Sequence, residues 1–410
     1  MMLFKLVWAS IVSRKGMASL TVFSIAISML VLMSVAHLQS QLKQNFQRSV
    51  AGVDLIVGSR TSSLNLLLFS IFKIGYPSNN LEYDSFMTIA NNPLVDWAVP
   101  ISLGDSHNGH AVIGTTADYF TRLKYADKRS LSFAAGQHFQ QTFEVVLGSA
   151  VAREHGYVLE QQIILSHGAG KVSFSQHKNH PFTVVGILQP TGTPMDHSVY
   201  IPLDSVEWLH NPVQANANQH DHEHQHTNQQ LSAILIGAKS RIAVLSLQRD
   251  ISQFRTEPLT AIIPGVALQE LWQMMAVVET SLQIISLLVL FAALIGMATM
   301  LLASMRERRH ELSVLRALGA RPWLILLLVE TEAVCLGLAG CVIGYLLLVS
   351  GLSALAPLLL AEYAFAIAVY PSMVMVGHYL LITLLLSALL AFMPAFSAYR
   401  QSLRAGLTIR

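Results

Sequence analysis

Four stretches of the chain are apolar for the length a bilayer demands, and the sequence between them is mixed. They cover residues 17–38, 280–305, 322–349 and 372–399. A helix needs roughly 20 such residues to cross the hydrocarbon core, so each run predicts a transmembrane helix. The first exceeds the apolar core of an ordinary signal peptide and reads as a retained anchor. A shorter run, 64–74, carries Asn65 and Lys73 and falls well short of a span. It reads as a buried or interfacial helix of a folded domain.

From residue 39 to about 271 the pattern becomes that of a mixed α/β domain. Phe143–Leu147, Phe182–Leu188 and Leu231–Ile236 are rich in β-branched and aromatic residues and read as strands. In 240–254, Ile242, Leu245, Leu247 and Ile251 recur at roughly helical spacing, and Pro190-Thr-Gly-Thr-Pro194 marks a turn. The fold class is therefore an α-helical membrane domain of four transmembrane helices, with a mixed α/β domain inserted between the first and second.

Basic residues near the helix ends set the orientation. Lys5, Arg14 and Lys15 precede the first helix, Arg306, Arg308, Arg309, Arg316 and Arg321 lie between the second and third, and Arg400, Arg404 and Arg410 follow the fourth. Residues 351–371 contain no Lys or Arg. Both termini are thus expected in the cytoplasm and the inserted domain outside. The expected organisation is an amphipathic N-terminal helix (1–16), helix 1 (17–38), the outer domain (39–271), a stalk with helix 2 (272–305), a cytoplasmic elbow (306–321), helix 3 (322–349), a short outer loop (350–371), helix 4 (372–399) and a tail (400–410).

Composition narrows the classes of function. The 410 residues are 53% hydrophobic and 12% charged, with mean hydropathy +0.49. Soluble domains carry about 25% charge, so a soluble enzyme or a disordered chain is excluded. A net charge of +2 leaves no basic excess for a phosphate backbone, and no nucleic-acid partner is expected. Cys335 and Cys341 fit neither a zinc knuckle nor a redox pair and read as small core residues.

Histidine is the chemistry-bearing residue that stands out. Of the 16 histidines, 13 fall in the inserted domain, four of them as His220, His222, His224 and His226, alternating with Asp221, Glu223 and Gln225. The surrounding Asn/Gln-rich segment, 216–230, cannot build a core and is expected to be a flexible loop. Imidazoles and carboxylates on such a loop can surround zinc or copper, although a polar insertion that collects metal without consequence has the same composition. His107, His110, His177, His180 and His197 could extend a site, or each could be an ordinary surface or core histidine.

Residues 306–318 have the pattern of a short amphipathic helix. Leu312, Leu315 and Leu318 line one side, while Arg306, Glu307, Arg308, Arg309, Glu311 and Arg316 supply the charge, and Gly319 is placed to end it. Such a surface suits the docking of another protein, and a snorkelling interfacial helix would share its pattern. Glu330 and Glu332 lie within the third span, where a carboxylate is costly unless it faces protein or water. Structural pairing and a proton or ion relay are the two readings. Gly337, Gly340 and Gly344 follow on the same helix and permit close backbone approach, within the chain or across a dimer.

Motifs for intrinsic energy coupling are missing. Gly168-Ala-Gly-Lys171 lacks both the first glycine and the Ser/Thr of a Walker A loop, and no HExxH, GxSxG or kinase signature occurs. Intrinsic catalysis is not expected, so the energy for any work must come from a partner.

The segment from Gly296 through Arg306-Glu-Arg-Arg-His-Glu-Leu-Ser-Val-Leu-Arg-Ala-Leu-Gly319, the glycines at 337, 340 and 344, and Pro394-Ala-Phe-Ser-Ala-Tyr-Arg400 resemble FtsX-like/MacB-type ABC transporter permeases of the type VII superfamily. More loosely, Asp54-Leu-Ile-Val-Gly58 and 185–194 resemble the periplasmic domain of a branch of that family. The resemblance implies a permease of the bacterial inner membrane, as a homodimer with a separate ATP-binding subunit that holds ATP and Mg. It also implies mechanotransmission, in which ATPase closure moves the periplasmic domains without a substrate tunnel, and it makes 306–319 the coupling elbow. The frequent Asp-Pro after the last helix is replaced here by Ser402-Leu403. Association of this branch with His-rich periplasmic proteins implies zinc handling, with zinc the one cofactor to consider on the chain itself. Lipoprotein, lipid or small-molecule extrusion and non-transport regulation of a periplasmic enzyme are the alternatives; the lipid reading predicts an apolar cleft around residues 64–74.

Overall fold

The structure, a computed structural model, describes residues 2–126, 128–167, 175–176, 180–210, 230–307, 320–363 and 366–405. It divides into two compact units. One contains Met1–Gln41, Ala276–Pro357 and Ile367–Arg410, and the other Leu42–Met275 and Leu358–Ala366. Among the described residues the helices, in chain order, are α1 (Met2–Ser13), α2 (Lys15–Ser49), α3 (Ser63–Leu67), α4 (Tyr83–Ala90), α5 (Asp118–Arg122), α6 (Ser149–His155), α7 (Leu203–His210), α8 (Arg241–Ser252), α9 (Pro264–Glu307), α10 (Pro322–Tyr363) and α11 (Met373–Ala405).

The first unit is helical and apolar on its outside. Four of its helices, α2, α9, α10 and α11, are long and apolar enough to cross a membrane. Large apolar side chains such as Leu288, Leu385, Leu389 and Met393 are exposed, as expected for a surface whose solvent is lipid. The interior is instead closed by well-packed residues that include Ile25, Met29, Leu294, Met297, Val329 and Ala395.

The spanning helices outrun their apolar stretches, α2 and α10 among them. Helix α2 continues to Ser49, where Phe46 packs against Phe72 and Trp272 in the second unit's core. Tertiary packing there sustains a helix that hydropathy alone would end near residue 38. Helix α10 continues to Tyr363 through Pro357, so much of the expected loop at 350–371 is helical. Its Leu- and Ala-rich composition favours helix.

The second unit is built on a twelve-stranded mixed sheet. Its main strands are β1 (Leu55–Ser59), β2 (Val95–His107), β3 (His110–Thr115), β4 (Phe133–Gly136), β5 (Glu144–Leu147), β6 (Phe182–Leu188), β7 (Ser198–Pro202), β8 (Ala233–Ala238) and β9 (Leu259–Ile262). They lie side by side in the order β9-β1-β8-β2-β3-β7-β5-β6-β4. Strand β6 alternates buried and half-buried residues along its length, the period-two signature of a strand on a core. Residues 63–72 are helical, with a π turn at Leu68–Phe72, and Leu66, Leu67, Phe69 and Ile71 are buried in the core.

Candidate functional site

Strand register places two histidines side by side. Strands β3 and β7 are parallel, with Ala111 opposite Ser198 and Thr115 opposite Pro202. His110 and His197 each stand one residue before that pairing, and their rings stack with centroids 5.8 Å apart and planes at 21°. Strand β5 pairs with the other edge of β7, Leu147 opposite Val199. It leads through Gly148 into α6, whose last turn carries Glu154 and His155.

Gly148 determines how closely α6 approaches the turn before β7. A Cβ there would stand 2.4 Å from the Asp196 carbonyl oxygen and 2.5 Å from that of Met195. Backbone cannot swing aside, so only glycine fits. Gly156, at φ 67°, ends the helix in the left-handed conformation directly after His155. The facing turn is held by buried Asp196, whose carboxylate accepts from the Thr191 and Gly192 amides at 2.8–3.0 Å and from Thr191 Oγ1 at 2.9 Å. This network fixes His197, the next residue.

The donor atoms of His110, Glu154 and His197 all lie within 4.8 Å of one another. His110 Nε2 is 3.3 Å from Glu154 Oε2, but among the described residues the Nε2 atoms of His110, His155 and His197 are buried without hydrogen-bond partners. The His197 backbone also bonds the His110 ring. Burial lowers the pKa of His110 most, helped by His197 and His155 and opposed by Glu154. Burial likewise lowers that of His197 against the pull of Asp196 and Glu154. Neutral imidazoles result, the form that ligates metal.

His110, Glu154 and His197 line a cavity of about 530 Å³, together with Lys73, Asp105 and Pro194. Lys73 adopts φ 59° at the end of the π turn and its ammonium donates to the Ser70 carbonyl. The residue as a whole is half-buried, but burial of the ammonium lowers its pKa to about 7. His107 is fully engaged, its ring nitrogens meeting the Ile164 carbonyl and the Tyr157 hydroxyl at 2.8 Å each. His180 stacks on Phe143 at 5.3 Å. Of the five scattered histidines, the structure thus brings together His110 and His197, gives His107 and His180 other partners, and His177 lies outside the described residues. Glu154 and His155 were not apparent in the sequence. Only the flanking Gly148 and Gly156 hinted at a tightly placed helix.

In the helical unit Glu332 is 2% exposed and Ser10 Oγ donates to its Oε2 at 2.8 Å. Glu330 is half-buried, with Oε1 lacking a hydrogen-bond partner among the described residues. A Cβ at Gly340 would stand 2.5 Å from Ile25 Cγ2, and one at Gly344 2.7 Å from the Ala26 carbonyl oxygen. Gly337 has more room, 3.2 Å from Ser387 Oγ. Arg306 and Glu307 end α9, with Glu307 exposed. Arg308, Arg309, Glu311, Leu312, Leu315, Arg316, Leu318 and Gly319 of the elbow, and His220, His222, His224 and His226, lie outside the described residues.

Residues 18–254 match the model of the MacB-like periplasmic core domain, and residues 283–406 that of the FtsX-like permease C-terminal domain. The chain is similar to the periplasmic region of MacB from Actinobacillus actinomycetemcomitans, at 13% identity and TM-score 0.34, covering 55% of this chain and 95% of that one. It is also similar to the extracellular domain of the noncanonic ABC-type transporter YknZ from Gram-positive bacteria, at 12% identity and TM-score 0.30, covering 51% and 99%. No curated protein matches the chain.

Proposed function

Since the chain belongs to the MacB/FtsX-type permeases of ABC transporters, we propose that it converts ATP hydrolysis by a separate subunit into movement of its α/β unit. Family membership implies an ABC-type ATPase partner, and the four apolar helices make this a multi-pass membrane protein. The observation that carries the reading is the pairing of the two matched domains, a core domain followed by a permease domain, in a sequence without a Walker A loop. Helices α2 and α9 support it, because each runs unbroken from residues of one unit into residues of the other. A continuous helix is a rigid element suited to carrying displacement.

In this reading the chain is itself no enzyme. It sits as a homodimer in the bacterial inner membrane with both termini in the cytoplasm, and Arg306, Glu307, Arg308, Arg309, Glu311, Leu312, Leu315, Arg316, Leu318 and Gly319 contact the ATPase, which holds ATP and Mg. The histidine-rich composition supports zinc or a related metal as what the system handles, with a His-rich periplasmic protein as companion. Lipid extraction gains no support from residues 64–74, since Leu66, Leu67, Phe69 and Ile71 are buried in the core. Purification of the tagged chain from native membranes in mild detergent tests the reading. A Walker-motif ATPase should co-purify in equal amount and be lost when Glu311→Arg and Arg316→Glu are combined; a preparation free of ATPase would refute it.

A further inference from the structure

The folded α/β unit carries a set of metal donors separate from the histidines at 220–226. We propose that His110, Glu154 and His197 bind one divalent transition cation of the zinc class, with His155 at the edge of the site as a further donor. The inference rests on the metal-handling part of the proposed function and is independent of ATPase coupling.

Three observations converge. First, two imidazole nitrogens and a carboxylate oxygen lie within 4.8 Å of one another. Tetrahedral zinc, with bonds of about 2.0–2.2 Å, holds its donors about 3.3–3.6 Å apart. Small side-chain rotations close the difference, and exposed Glu154 is free to make them.

Second, the Nε2 atoms of His110, His155 and His197 are buried without hydrogen-bond partners among the described residues. A buried polar atom left unsatisfied is costly, and three in one place call for a shared partner. A cation satisfies several acceptor nitrogens at once, whereas a neighbouring imidazole does not. The His110 ring also makes a backbone hydrogen bond with His197, the kind of support that metal-bound histidines ordinarily have.

Third, the backbone that carries each donor is placed by the fold. The β3–β7 register sets His110 beside His197, the Asp196 network holds the turn before β7, and Gly148 lets α6 bring Glu154 against it. The donor chemistry selects the ion: imidazole suits zinc, cobalt and copper, while calcium and magnesium require oxygen-rich shells. The site faces the cavity of about 530 Å³, which leaves an entry path and room for a water or a transferring ligand. An accessible fourth position suits a cation that is loaded and released more than one locked in for structure.

The test uses the full-length permease in detergent, stripped of metal, with H220A, H222A, H224A and H226A combined to silence the other candidate ligands. Titration with cobalt(II) should give one ion per chain and the intense visible absorption of four-coordinate cobalt, displaced by zinc. Adding His110→Ala, His197→Ala or Glu154→Gln should weaken cobalt binding by about 10- to 100-fold or more. Glu154 is exposed, so E154Q should keep the metal-free unfolding midpoint, separating lost ligation from lost fold. Cobalt binding in the unaltered chain that disappears entirely in the four-alanine background would overturn this site and leave metal handling standing. Binding in neither protein would overturn both. Binding that persists unchanged in E154Q and H197A would place the ion elsewhere and also overturn the site.

Discussion

Ser10 Oγ donates a 2.8 Å hydrogen bond to Glu332 Oε2 inside the helical unit, where Glu332 is almost completely buried. The contact ties α1 to α10, and it answers the cost of a carboxylate at membrane depth with a specific donor. Ser10→Ala should lower the stability of the detergent-solubilised protein by about 1–3 kcal/mol, the usual loss when a buried polar group gives up its partner. Glu332→Gln, which retains an acceptor oxygen, should lose less. Thermal unfolding of the two variants checks the order, and an unaffected S10A midpoint would contradict it.

Glycines 337, 340 and 344 should differ in their tolerance of a methyl group. At Gly344 the obstacle is the Ala26 carbonyl at 2.7 Å, which cannot rotate away; at Gly340 it is the Ile25 side chain at 2.5 Å; at Gly337 the nearest atom is 3.2 Å off. Overpacking costs about 1–3 kcal/mol, so Gly344→Ala should destabilise most, Gly340→Ala next and Gly337→Ala least. Equal midpoints for all three would show that α2 and α10 do not depend on this close approach.

Lys73 gives the α/β unit a pH dependence of definite sign. Its pKa falls from 10.5 to about 7 on burial. Between those values the unfolded chain binds the proton and the folded one does not, so this residue makes stability rise with pH across that window. Lys73→Met removes the penalty. Its unfolding midpoint should exceed that of the parent, with the gain largest at pH 7 and below and vanishing above 10.5. A gain that does not change with pH would contradict this account of Lys73.

Gly148→Ala should push α6 away from the turn that ends at His197, because the new methyl meets two carbonyl oxygens at 2.4 and 2.5 Å. The variant should lose about 1–3 kcal/mol of stability and bind cobalt more weakly than its parent, although it removes no ligand. Cobalt affinity equal to the parent's would show that this packing does not position Glu154.

The helical unit was legible because a bilayer imposes continuous apolar runs, and α2, α9, α10 and α11 contain all four of them. Their ends were not, since α2 reaches Ser49 through the packing of Phe46, and α10 passes Pro357 to Tyr363. Strands such as Phe182–Leu188 could be read from local pattern. The pocket could not. His110 and His197 were visible only as two among several histidines, since their pairing is set by the Ala111–Ser198 register. Glu154 resembles any solvated charge on a short helix, and a non-local cluster leaves no spacing to recognise.

In the proposed function, nucleotide chemistry in the partner moves the α/β unit. Ile242 on α8 is 81% exposed and can carry a spin label after Ile242→Cys, with Cys335 and Cys341 replaced by alanine. Electron–electron distance measurements between the two copies in the reconstituted permease–ATPase complex should give distributions that differ between ATP-bound and nucleotide-free states. Combining Glu311→Arg with Arg316→Glu should abolish the difference. Identical distributions in both states, while the ATPase hydrolyses ATP, would contradict mechanotransmission by this chain.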